Sequence, residues 1–174
     1  MEIEAVDVAL AVVRLSGLAM AAHGAQKLFG WFGGHGVAAT GAMFAKMGFR
    51  PGPLFAFAAG AGEALGGLLV FLGLGGPVGP ALVLLVMIVA ALTVHVRNGF
   101  FQSKSGWELN LTYGLLAIAV GYLGPGALSV DAALGLHVLG GATQVTAAFG
   151  AAVVLALANV AMKRSPPPAA PKPG

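Results

Sequence analysis

Four short stretches hold most of the side chains in this sequence that could move a proton or grip a polar ligand. They are His23, Gln26 and Lys27 in "HGAQKLFGWFGG", Glu63 in "GAGEALGG", His95 and Asn98 in "TVHVRNGFF", and Glu108 with Tyr113 in "WELNLTY". On a helix, residues three and four apart share a face, so His23, Gln26 and Lys27 form one polar edge, and His95 and Asn98 form another. Histidine changes charge near neutral pH and carboxylates pass protons on, which makes Glu63, His95 and Glu108 the candidates for proton transfer. His23, Gln26, Lys27, Asn98 and Tyr113 are hydrogen-bonding groups that could hold the polar part of a small ligand. No metal site is assigned.

Each residue also has a plainer explanation. A His or Asn one turn from a helix end meets lipid headgroups, Lys27 can snorkel, and Arg97, Lys46 and Arg50 can do no more than fix orientation. Glu63 is harder to dismiss, because a carboxylate near mid-membrane costs about 2.5 to 3.5 kcal/mol on insertion scales and therefore needs a partner, a proton or a function. Arg14 is a possible partner, although the two differ in depth by roughly 9 Å at 1.5 Å per residue. Gly62 and Gly66 beside it make a small-xxx-small pair that admits a neighbouring helix, so Glu63 can also be a structural polar clamp.

The elements that must position these groups are membrane helices. Of 174 residues, 58% are hydrophobic and only 9% charged, against roughly 25% charge in a soluble domain. The absence of cysteine excludes disulfides, thiol relays, Cys-ligated zinc, iron–sulfur clusters and covalent c-type haem. The net charge of +3 comes from basic residues scattered between apolar runs, which excludes a nucleic-acid surface. The runs approach the roughly 20 residues that cross a bilayer. They extend over Val6 to Phe29, Pro53 to Leu74, Val78 to Val96, a short one from Trp107 to Leu123, and Gln144 to Met162, with Gly-Pro pairs at several of their ends. The acidic start "MEIEAVD" and the uninterrupted run behind it argue against a cleaved signal peptide.

The expected fold is all-α: a polytopic four-helix transmembrane bundle over residues 1–136, with a short N-terminal segment 1–5, and an added fifth transmembrane helix within residues 137–162. Residues 33–52 form a loop in which Met43, Phe44 and Met47 share a face, as in an interfacial helix. The Pro-rich tail 163–174 is expected to be disordered. With five spans and the N-terminus outside, Lys46, Arg50, Arg97, Lys104, Lys163, Arg164 and Lys172 all fall on the cytoplasmic side, together with the C-terminus.

The motifs in this order, together with "YLGPGALSVDAAL", resemble the DoxX family of small bacterial membrane proteins over roughly residues 10 to 135. The resemblance implies a four-helix membrane bundle in the bacterial inner membrane and protein partners in an oxidoreductase assembly. Relatives are associated with a quinone-reducing thiosulfate oxidase and with a complex of superoxide dismutase and a sulfurtransferase. It also makes His23, Gln26, Lys27, Glu63, His95, Asn98, Gly99 and Glu108 the family's motif positions. The segment beyond Leu136 departs from the four-helix pattern. Three functions follow as expectations. One is a quinone-reactive membrane subunit with no covalently bound cofactor. Another is a non-catalytic anchor or accessory subunit of a respiratory complex. The third is a small transporter built around Arg14 and Glu63. No nucleotide-binding fingerprint is present, which argues against a bound flavin or nicotinamide.

Overall fold

The computed structural model describes residues 3–136 and 140–164. Of the tail 163–174 expected to be disordered, residues 165–174 lie outside the described residues, as does part of the connection at 137–139, whereas Arg164 is described and bonds the Gly48 carbonyl. All regular structure among them is helical. The elements are α1 (Ala5–Arg14), α2 (Ser16–Phe29), α3 (Gly36–Lys46), α4 (Gly52–Leu72), α5 (Val78–Ala90), α6 (Glu108–Leu123), the short α7 (Val130–Ala133) and α8 (Ala142–Ala161). A π-helical stretch, Ala91–His95, and a 3-10 turn, Val96–Asn98, continue α5, and a second 3-10 turn, Gln102–Lys104, precedes α6.

Four of these are long and apolar enough to cross a membrane: Ala5–Phe29, Gly52–Leu72, Val78–Asn98 and Ala142–Ala161. This is a multi-pass membrane protein. Helix α6, at 16 residues, spans only about 24 Å at 1.5 Å per residue. Large apolar side chains such as Leu15, Phe57, Leu65, Leu115 and Val154 point away from the protein, as they do where the solvent is lipid.

Lipid is as apolar as leucine, so hydrophobicity does little to press these helices together, and close backbone contact and polar clamps must do it. The contact is closest between α2 and α4. A methyl group on Gly17 would collide with the Gly67 carbonyl, one on Gly67 with the Gly17 carbonyl, and one on Gly24 with the backbone at Gly60 and Ala64. Small residues at Gly17, Ala21 and Gly24 thus face small residues at Gly60, Ala64 and Gly67 along both helices. The expected Gly62–Gly66 pair lies on another face of α4 and admits Val86, Leu82 and Val83 of α5. A buried cluster of Met20, Val70, Val83, Val86, Met87 and Ala117 fills the space between these helices and α6.

Helix α8 packs on α5 through Val145 and Phe149 against Leu84. Its first turn meets α6, where Thr146 and Tyr122 share a hydrogen bond of 2.8 Å, and beyond its last turn Arg164 N–H donates to the Gly48 carbonyl at 2.9 Å. The fifth helix therefore runs alongside the bundle from one end to the other. The loop at residues 33–52 contains a helix, α3, folded onto the start of α4 with Gly41 against Pro53.

One end of the bundle is closed by a knot of polar contacts, and here an expectation is corrected. Arg14 does not pair with Glu63. Its Nε donates to the Val70 and Phe71 carbonyls (3.2 Å each), Nη1 to Pro125 (2.7 Å) and Leu128 (3.0 Å), and Nη2 to Phe71 (3.0 Å). Val70 and Phe71 lie roughly 10 Å beyond Glu63 along α4. The guanidinium is instead held by the exposed carbonyls at the C-terminus of α4, where the helix dipole is negative. Asp131 accepts from Gly75 N–H (3.0 Å) and Gly76 N–H (2.8 Å), and Asp7 accepts from Ala127 N–H (2.6 Å), so the loops at this end are tied to the helices.

Candidate functional site

The partner of Glu63 is Lys27. Because glycine lets α2 and α4 touch, the lysine, two residues from the end of α2, reaches along α4 and its Nζ bonds both carboxylate oxygens. The Glu63 side chain is 5% exposed and that of Lys27 27%. Lys27 thus turns inward to a carboxylate instead of snorkelling to the headgroups. Pairing offsets part of the cost of burying either charge between the helices.

Facing the ion pair is the end of α5, where the helix widens into the π-helical stretch Ala91–His95. Such π turns are rare and collect at functional positions. The extra residue in the turn rotates the side chains beyond it by about 100°, the angle of one α-helical residue. His95 is the last residue of this stretch. Its Nδ1 lies 2.7 Å from the Ser105 carbonyl, which also accepts from Asn98 Nδ2 at 3.1 Å. A carbonyl oxygen can only accept, so Nδ1 carries a proton.

On α2, His23 Nδ1 lies 3.0 Å from Gln26 Oε1, and Gln26 Nε2 donates to the Phe32 carbonyl at 3.0 Å. The second bond orients the amide, so Nδ1 of His23 is likewise the protonated nitrogen.

Between these groups lies a cleft of about 280 Å³, bordered by His23, Lys27, Glu63, His95, Asn110 and Tyr113 among others. Helices α2, α4, α5 and α6 all contribute to it. On the other side of the same ion pair is a second cleft of about 230 Å³, walled by Met43, Phe44 and Phe49, by Phe55 and by Val89, and reaching Asn159 of α8. Lys27, Glu63, Ala90 and His95 border both.

Of the eight residues the sequence singles out, five meet at the first cleft: His23, Lys27, Glu63, His95 and Tyr113. Gln26 supports His23 from behind. Asn98 and Glu108 do not border it: both hold the connection between α5 and α6, Asn98 through Ser105 and Glu108 through a 2.8 Å bond from Gln102 N–H to its Oε2. The pocket expected to include them is formed without them, because the 102–105 turn folds back and takes up their polar atoms. Asn110 was not anticipated. It is 9% exposed, its Nδ2 lies 3.6 Å from Met87 Sδ, and it shares a face with Tyr113 by its spacing of three in "ELNLTY".

Tightly packed membrane helices, an ion pair buried between two of them and a polar cleft at one end define a multi-pass membrane protein with an intramembrane polar site. The chain belongs to the DoxX family, whose profile matches residues 9–96 and so takes in Lys27, Glu63 and His95. Neither curated proteins nor solved structures give a significant match.

Proposed function

We propose that this DoxX protein is the quinone-binding membrane subunit of an oxidoreductase complex. One observation carries this reading: a single polar partition, Lys27–Glu63 with His95, borders a cleft of mixed lining that adds His23, Asn110 and Tyr113, and a second, more apolar cleft. An isoprenoid quinone has that same division, a ring with two hydrogen-bonding oxygens and a long apolar chain. Each cleft alone falls just below the roughly 300–1,000 Å³ of small-molecule sites, and the two together come within it. His95 is the leading proton-transfer group. Glu108 at the start of α6, bonded to the same 102–105 turn as His95, is the onward proton carrier in this reading.

An assembly subunit without quinone is the second reading. It is favoured by Phe29, Trp31 and Phe32, which are 61%, 59% and 71% exposed beside the cleft end of α2 and suit either the headgroup region or a docked protein. Transport through a moving Arg14–Glu63 element has little support, since Arg14 is bound to backbone carbonyls at the far end.

Extraction in mild detergent, followed by identification of bound lipids and proteins, separates the first two readings. The expected result is an isoprenoid quinone at close to one per chain together with a redox partner. Folded protein that brings a partner but no quinone would establish the assembly reading instead.

For orientation, we infer five crossings of the bacterial inner membrane with the N-terminus outside. The support is that Lys46, Arg50, Arg97, Lys104 and Arg164 are all exposed at one end of the bundle. Single cysteines at Ile3 and Ala170, tested with a membrane-impermeant thiol reagent on intact cells, should label at Ile3 alone. Labelling at both or at neither contradicts the five-span arrangement.

A further inference from the structure

We infer that the polar cleft recognises the reduced form of its ligand, a hydroquinone whose ring hydroxyls donate into it; this rests on the quinone reading above. The argument comes from which hydrogen-bonding atoms the protein has already used. His95 donates its Nδ1 proton to the Ser105 carbonyl, and His23 donates its own to Gln26 Oε1, whose amide is oriented by Phe32. A neutral imidazole has one N–H, so in both rings Nε2 is left as a bare acceptor. Asn110 adds a third acceptor: its Nδ2 faces the Met87 thioether, which can only accept, and this turns Oδ1 the other way.

Donors are fewer. Two of the three Lys27 N–H groups are taken by the Glu63 oxygens. The Tyr113 hydroxyl can donate or accept. Counting the second Asn110 N–H, the cleft offers three fixed acceptors against two fixed donors, and the Gln102 amide that also lines it can do either.

A quinone presents only lone pairs, which would confront the lone pairs of the two imidazoles. A hydroquinone presents two O–H donors, one for each. Sites that hydrogen-bond a substrate hydroxyl can reject the analogue lacking it by factors of about 10⁴ when fully enclosed. This cleft is open at its mouth, so water can bridge some of the mismatch, and a smaller preference of about tenfold is expected.

The test uses a decyl-substituted benzoquinone and its quinol, the latter kept reduced under anaerobic conditions, titrated into the purified full-length protein in detergent at pH 8. The quinol is expected to bind about tenfold more tightly. His23→Phe and Asn110→Leu should each lower quinol affinity several-fold more than they lower quinone affinity. Either variant suffices if the other does not fold. Equal or tighter binding of the oxidised form, or a preference unchanged in the folded variants, overturns this inference while leaving quinone binding in place. Failure of both forms to bind overturns the quinone reading itself.

Discussion

Glu63→Leu should cost this protein about 3 kcal/mol of stability, a large part of the roughly 5–15 kcal/mol that holds a typical domain together. The Lys27 ammonium would be left without its carboxylate, and breaking a buried pair from one side costs about 3–5 kcal/mol. The lower end applies because Lys27 is 27% exposed and can swing partly toward the headgroups. Glu63→Gln keeps an oxygen for the ammonium and should retain the fold with a smaller loss. The double change Lys27→Met with Glu63→Leu removes both charges, and stability should return to within about 1 kcal/mol of the parent, since apolar replacement of a buried pair is often neutral or better. Thermal midpoints of the detergent-solubilised proteins, read by size-exclusion chromatography, check all three. A Glu63→Leu protein as stable as the parent would mean that the pair does not hold α2 to α4.

The largest effect on activity is expected at His95. His95→Ala should lower quinone-coupled electron transfer by about 10²-fold, the lower range for loss of a positioned proton-transfer group. The complex should still assemble, because Asn98 remains on the Ser105 carbonyl and the lost hydrogen bond is worth about 1 kcal/mol. Asn98→Ala, outside the cleft, should leave turnover within a few-fold. Assays of the assembled complex with quinone supplied externally distinguish the two. Disassembly of the His95→Ala complex would assign His95 to holding helices together.

The spans were legible in the sequence because the bilayer sets their length and composition, and glycine marks where several stop. Gly30 and Gly73 end α2 and α4 with φ of 74° and 62°, a conformation glycine adopts without strain. The helix α3 was legible from the shared face of Met43, Phe44 and Met47. The common level along the helices was legible too, which is why five of the eight chosen side chains meet at one cleft. Direction was not. A lysine near a helix end reads as a snorkelling residue, and only the close approach of α2 and α4 shows that Lys27 can reach Glu63. The stripe Gly17–Ala21–Gly24 that permits this approach has the same small-xxx-small spacing as Gly62–Gly66, but the spacing does not say which helix it meets. The π turn before His95 has no compositional mark at all, because it is a change of hydrogen-bond register. Asn98 and Glu108 are taken up by the 102–105 turn, a loop contact that spacing along a helix cannot reveal.

The most direct test of a quinone seated at the Lys27–Glu63–His95 partition is photolabelling with an azido-quinone, with the adducts mapped by mass spectrometry. Adducts should fall on the peptides carrying His95 and Asn110–Tyr113, and an excess of unlabelled quinone should abolish them. Adducts confined to lipid-facing side chains such as Leu65 and Val154, or undiminished by the competitor, would contradict a quinone site in this cleft.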